Sequence, residues 1–486
     1  MKRLLAIVLT LALLVSLTGC KNKEEDEPEE KEPLRILVDV VYLMVESAEE
    51  DEIYFFDYEE YIEQKMGNLL FDAKDKAGID FTNIDVEVLP AYDTQERQNR
   101  IDELKEEIEN GGGPDVFIMR SLGTMWDSGA SGKELFPEPE KTMNSGLLLP
   151  LDDYIQSARF MDWDKLTPAV MAAGYNEEFG QLILPISYQI PVTYYRKSAA
   201  IHTPSSGWTF DDLQNGDNIL RNAAVYSNTG GITGEILFGR LADFNERTLT
   251  FTEDEFIRAV KELDEFESEA AYLAEPGWLP DRMQSGAQLS YAFDQRSWNL
   301  EALWTQAGRE DEVVAQYLPG LSRALISKND SENYTDEEIT MIPAYSRAGG
   351  VAARVDGYTC INANTRRPDD AFAIVDLLLS GYGQAYYGIN EHLIQDGMPT
   401  YEYVDGEPGI LKPAWKMAPE NLAMLDSVRD AITQVSFRGE LSCTFSRCYQ
   451  EYGSIVHGWE YPVVDETDPE AYLHKAYSKL QEVLLK

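Results

Sequence analysis

Apolar positions recur in two rhythms along this 486-residue chain, and the way the rhythms alternate is the first clue to its architecture. Ile101, Leu104 and Ile108 are spaced by three and four positions among acids and lysines, which predicts a helix over about 94–110. Asp93 and Glu96 ahead of it have the spacing of an N-terminal capping pair. Gly111-Gly112-Gly113-Pro114 follows and must end the helix, because glycine opens backbone angles closed to other residues while proline fixes φ and donates no hydrogen bond. The run from Val116 to Met119 is then continuously apolar, as a strand buried on both faces would be. Leu34 to Val40 and Ile84 to Leu89 read as further strands, with helical material between them from about Tyr54 to Lys76, stopped by Gly78. Strand and helix alternate, so the class is α/β with a mostly parallel sheet covered on both faces. Such a sheet usually builds its site beyond the C-terminal ends of the strands.

Later segments add breaks to this pattern. Gly146 to Ile155 is followed by two extended runs, Gly180 to Tyr188 and Val192 to Arg196, with Pro185 and Pro191 on either side of the break. A proline-bracketed extended crossing is what a hinge between lobes would need. Gly207 to Leu213 reads as a helix start, and further helices are predicted at about 252–268 and 418–435. Ser290 to Phe293 and Tyr317 to Pro319 read as strands. Pro368 opens another helix, with Phe372, Val375 and Leu379 on one face and Gly381 as its stop. There is no internal repeat and no coiled-coil heptad.

Composition changes the picture in two ways. With 44% hydrophobic residues the chain can bury more than one small core, so two domains or lobes are the default. The formal charge of −45 argues against nucleic acid, whose phosphates would be repelled, and against a large anionic ligand. The first twenty residues have a basic start and an apolar run from Leu4 to Leu17, too short to span a membrane and shaped like a secretory signal. Leu17-Thr18-Gly19-Cys20 resembles a bacterial lipobox, in which cleavage after residue 19 leaves Cys20 to carry a diacylglyceryl anchor; the alternative is an ordinary signal peptide with a chance cysteine. Residues 21–33 are charged, proline-containing and without large apolar groups, which suits a disordered tether on the membrane surface. Cys360, in an apolar run, reads as a buried inert thiol, while Cys443 and Cys448 could be a bridge or two free thiols.

Taken in order, several segments resemble the extracellular solute-binding proteins of ABC importers, the family that includes maltose- and oligosaccharide-binding proteins. The resemblance rests on the lipobox, Gly113-Pro114-Asp115-Val116, Gly146 to Ile155, the crossing from Gly180 to Arg196, Gly207-Trp208 with Asp211-Asp212-Leu213, Ser285-Gly286 through Trp298, and the helix from Arg367 to Gln384. It departs from the family pattern at Asp294-Gln295-Arg296-Ser297, where a glycine often precedes the tryptophan. The implied fold is a two-lobe periplasmic-binding-protein-like (type II) fold with hinge strands between the lobes. Residues 1–19 would be signal peptide and 20–33 anchor and tether. One lobe would comprise 34–187 plus 320–380, the other 193–318 plus 381–486.

The implied function is a membrane-anchored receptor that captures a small solute by lobe closure and hands it to ABC permease subunits, acting as a monomer on the outer face of the cell membrane. A neutral sugar needs stacking aromatics and planar polar side chains. The resemblance points to Tyr42, Arg120, Ser121, Trp126, Tyr188 and Gln189 from one lobe, with Asp294 and Trp298 from the other. Tyr345, Arg347 and Asp356 on the return segment are either site residues or loop-fixing ones. A peptide, amino acid or polyamine as ligand, or a sensing or adhesive surface lipoprotein, remain alternatives. No HExxH, G-x-S-x-G, phosphate-binding loop or EF-hand spacing is present, and the sequence implies no catalysis, cofactor or metal.

Overall fold

The computed structural model describes residues 32–39, 45–46, 53–54, 67, 83–90, 95–120, 134–196, 209–215, 233–273, 313–317, 339–343, 345–380, 398–399, 427–458 and 464–486. Its principal strands are Leu34–Val38 (β1), Ile84–Val88 (β2), Val116–Arg120 (β3), Ile183–Gln189 (β4), Pro191–Arg196 (β5), Val313–Tyr317 (β6), Ile339–Pro343 (β7), Val351–Ile361 (β8), Met398–Pro399 (β9) and Ile432–Phe437 (β10). Its principal helices are Gln95–Glu109 (α1), Glu253–Leu273 (α2), Pro368–Leu378 (α3), Glu440–His457 (α4) and Pro469–Leu485 (α5).

Among the described residues, seven strands form one mixed sheet in the order β9-β4-β8-β3-β1-β2, with β10 alongside the N-terminal half of β8. β1 pairs in parallel with both β2 and β3, while β8 runs antiparallel to β3 and β4. The period of two divides each buried strand between two cores. Phe117 and Met119 of β3 join Leu37 and the apolar stripe of α1 on one face, and Val116 and Ile118 join Ile36, Val38 and α3 on the other. The continuous apolar runs in the sequence thus mark strands covered on both faces by helices, and the α/β class expected from them is the one observed, although the sheet is mixed rather than mostly parallel.

Buried polar groups fix this layer. The glycine stop after α1 turns through positive φ at Gly111 and Gly113 (82° and 96°), and a Cβ on Gly113 would lie 2.8 Å from Ile108 Cγ1. Asn362 Nδ2 donates to the carbonyls of Gly112 and Pro114 at 2.9 and 3.0 Å, tying the stop to the end of β8. Asp376 of α3, itself buried, accepts the backbone N–H groups of Arg159 and Met161 at 2.7 Å each and that of Phe160 at 3.1 Å. A loop that crosses a sheet face needs acceptors for its N–H groups, and one carboxylate supplies three.

A second core is helical. Residues 233–263, α4 and α5 enclose an aromatic cluster of Phe238, Phe251, Phe256, Phe445 and Tyr477, with Phe238 stacked on Phe251 at 4.2 Å between centroids. The helix predicted at Gly207 to Leu213 begins at Phe210, and Thr209 and Asp212 form its reciprocal cap.

Among the described residues the chain passes out of or back into the large sheet three times. It leaves β4 through Ile190 into β5, the centre of a three-stranded antiparallel sheet β6-β5-β7. It returns from β7 through residues 345–350 into β8, and it leaves again from β10 through Arg438 and Gly439 into α4. The expected extended crossing at Pro191 is the first of these.

Three expectations need correction. Of the helix predicted over 418–435, residues 418–426 lie outside the described residues, 427–431 are helical, and from Ile432 the chain is strand β10, because the free edge of β8 offers a ladder that outweighs local helical spacing. Of the strand predicted at Tyr317 to Pro319, Tyr317 belongs to β6, which begins earlier at Val313, and 318–319 lie outside the described residues. Strand pairing also cuts across the division expected at 320–380 and 381–486. β7 pairs within the three-stranded sheet, and β9 and β10 pair within the large one. Of the cysteines, Cys360 is buried, and Cys443 and Cys448 are free thiols on α4, five residues apart and so on different helix faces. The capping pair at Asp93, the helical stretch after Tyr54, the strand at Ser290 to Phe293 and the stop at Gly381 lie outside the described residues.

Candidate functional site

The parallel strands β1, β2 and β3 end on one edge of the sheet, at Asp39, Leu89-Pro90 and Arg120. That edge is the crevice where open α/β sheets take ligands. α1 follows β2 and starts there, so its first turn stands over the strand ends. Arg97 in that turn is 1% exposed and lies on the same stripe as Ile101, Leu104 and Ile108. Its guanidinium makes a fork to Asp39, with Nη1 to Oδ1 at 2.9 Å and Nη2 to Oδ2 at 2.8 Å. It also donates to Glu134 at 3.3 Å and to the carbonyl of Pro90 at 3.2 Å. Two buried carboxylates thus share one guanidinium, in the bidentate geometry that makes such pairs strong. Tyr358 of β8 lies beside them. Burial, reinforced by the negative charges of Glu134 and Asp39, pushes its phenol well above the ordinary range, so it stays neutral and can donate.

The candidate residues fall into three groups. Arg120, partly buried, ends β3 opposite Gly357 of β8, and Gln189 ends β4 opposite Arg354. Both therefore stand where strands leave the sheet. Tyr188 is 0% exposed within the core, and its hydroxyl is buried with no hydrogen-bond partner among the described residues. Tyr42, Ser121, Trp126, Asp294, Trp298 and the anchor Cys20 lie outside the described residues.

On the return segment, Tyr345 packs against the sheet core. Arg347 pairs with Asp211 at 2.7 Å and Glu262 at 2.8 Å and lies over the Phe210 ring at 5.1 Å. Its backbone N–H donates to the carbonyl of Ile236 at 2.8 Å, so of the two roles open to Arg347, fastening the crossing to the helical core is the one it performs here. Asp356 lies within β8.

Sequence reasoning missed Arg97, Asp39 and Glu134. The signal for Arg97 was present: a charged residue in register with an apolar helical stripe has to find a buried partner. Nothing in the sequence pointed to Glu134, because the loop that brings it to Arg97 has no local pattern. Among the described residues no group of three or more His, Cys, Asp or Glu side chains is arranged to hold a metal ion.

No protein-family profile and no curated protein matches the chain. Solved structures do. A family 1 extracellular solute-binding protein from Alicyclobacillus acidocaldarius superposes with a TM-score of 0.53 at 13% identity, over 94% of this chain and 100% of that one. The sugar-binding protein MalE from Xanthomonas citri gives 0.56 at 11% identity, over 93% and 97%. An ABC substrate-binding protein from Listeria monocytogenes in complex with cycloalternan gives 0.52 at 12%, over 94% and 99%. These likenesses, the two cores and the three crossings agree: the chain has the two-lobe α/β fold of the family 1 extracellular solute-binding proteins.

Proposed function

We propose that this chain is the substrate-binding component of an ABC importer, capturing a sugar or oligosaccharide between its lobes and delivering it to a permease without making or breaking a bond. The observation that carries this is the repeated passage of the chain out of and back into the sheet-bearing core, the kind of connection that allows two rigid bodies to close over a ligand. Closure is then a population shift, since the ligand touches both lobes only when they are closed. The carbohydrate follows from what the structural neighbours are described as holding: cycloalternan, mannotriose and α-D-tagatose. Arg120 and Gln189 would line the crevice, with Tyr42, Ser121, Trp126, Asp294 and Trp298 completing it, and Tyr188 supporting it from beneath. The lobes would follow the division 34–187 plus 320–380 and 193–318 plus 381–486, adjusted where β7, β9 and β10 pair. Cys20 would hold the protein, as a monomer, to the outer face of the membrane.

A thermal-shift screen of the protein lacking residues 1–20 tests this, using saccharides, amino acids, short peptides and polyamines. Ligand at a hundredfold excess over Kd stabilises the native state by about 2.7 kcal/mol, a clear rise in Tm. A rise with one saccharide class is expected. Rises only with polyamines or peptides would replace the sugar, and no rise with any class would sink the receptor reading.

A further inference from the structure

Glu138 and Glu140 lie where the sheet-bearing core meets the helical core. Phe136 and Met143 on either side of them are part of the sheet core. Glu138 Oε2 accepts the backbone N–H of Leu441 in the first turn of α4 at 3.0 Å, and the N–H of Glu440 donates to the carbonyl of Pro137 at 2.9 Å. A helix N-terminus has donors without intrahelical partners, and here a side chain from the other core supplies the acceptor. The cap residue Gly439 leaves room for it: a Cβ there would sit 2.1 Å from Glu138 Oε1. Glu140 pairs with Arg240 of the helical core and accepts the N–H of Phe437 at the end of β10. The N–H of Arg240 in turn donates to the side chain of Gln434 on β10 at 2.6 Å. Glu138, Glu140, Arg240, Phe244 and Ser442 line a small cavity.

Both carboxyls are buried, at 7% and 4% exposure. The charges around them do not balance. Glu138 faces Glu140, Glu440 and Lys141, while Glu140 faces Arg240 and Asp243. Burial pushes Glu138 up to about 8, reinforced by Glu140 and Glu440 and opposed by the Leu441 N–H and Lys141. Burial pushes Glu140 up to about 7, with Arg240 and the Phe437 N–H opposing it and Asp243 adding to it.

We propose that Glu138 and Glu140 form a proton-dependent latch between the two cores, closed when the pair carries a proton and loosened when it does not. The latch goes beyond the transport reading and does not depend on which solute binds. A carboxyl that holds its proton more tightly when latched stabilises the latch fully below the ordinary carboxylate range. That contribution falls as pH rises from there and is lost through about 8.

Hydrogen exchange read by mass spectrometry, from about pH 6 to about pH 9 and corrected for the intrinsic rise in exchange rate, tests the latch. Protection of peptides covering 137–142 and 439–445 should fall about tenfold more than that of the β8 peptide. Glu138→Gln, which is neutral throughout and keeps an acceptor for Leu441, should flatten this fall. Equal falls in all peptides, or the same fall in Glu138→Gln as in the parent, would overturn the proposal. If that variant does not fold, the infrared carbonyl band of a buried protonated carboxyl decides in the parent protein. It should be present at about pH 6 and gone by about pH 9, and its absence at the lower pH would equally overturn the latch.

Discussion

The two cores of this protein are held by different chemistry. The sheet-bearing core depends on buried polar groups at fixed points: Arg97 between Asp39 and Glu134, Asp376 under the loop at 159–161, and Asn362 at the glycine stop. The helical core is aromatic inside, and many of its ion pairs, such as Lys261 with Glu470, are exposed on its surface. The difference follows from the elements. Helices satisfy their own backbone groups, so apolar packing between them suffices, whereas a sheet fed by loops must find partners for the N–H and carbonyl groups those loops bring inside. A crevice at the strand ends inherits such groups, which is one physical reason for a ligand site to sit there rather than among the helices.

The largest effects should separate the cores. Arg97→Met leaves Asp39 and Glu134 buried without their cation and should cost about 3–5 kcal/mol in urea unfolding. Its loss of exchange protection should concentrate in β1, α1 and β3. Phe445→Ala removes a ring that touches Phe238, Phe251 and Phe256 and should also cost about 3–5 kcal/mol, with protection lost in α2, α4 and α5. If each substitution loosened both cores alike, they would be one cooperative unit and the contrast would fail. Smallest of all, Lys261→Ala breaks an exposed pair and should change stability by no more than about 0.5 kcal/mol. A loss as large as that from Arg97→Met would mean that surface charge, not the aromatic interior, holds the helical core.

Much of the sheet was legible because its signals are local. β1, β2, β3 and α1 each carry a complete period, and the stop at Gly111 to Pro114 carries its own backbone requirement. β10 was not legible. Val428, Ile432 and Val435 keep helical spacing, and only the unpaired half of β8 makes the chain extend after Ala431. The site was partly legible in the same sense: the strand ends that carry Arg120 and Gln189 could be found from apolar runs, but the side of the strand on which Tyr188 falls could not.

Sequence alone determined the α/β class, the first crossing at Pro191 and the glycine stop after α1, because each follows from residues within a few positions of one another. Tertiary structure alone decided that Arg97 meets Asp39 and Glu134, that β10 joins β8, and that Glu138 caps a helix three hundred residues away. Burial and charge pairing are properties of surroundings assembled from distant segments, and no local pattern encodes which segments those are.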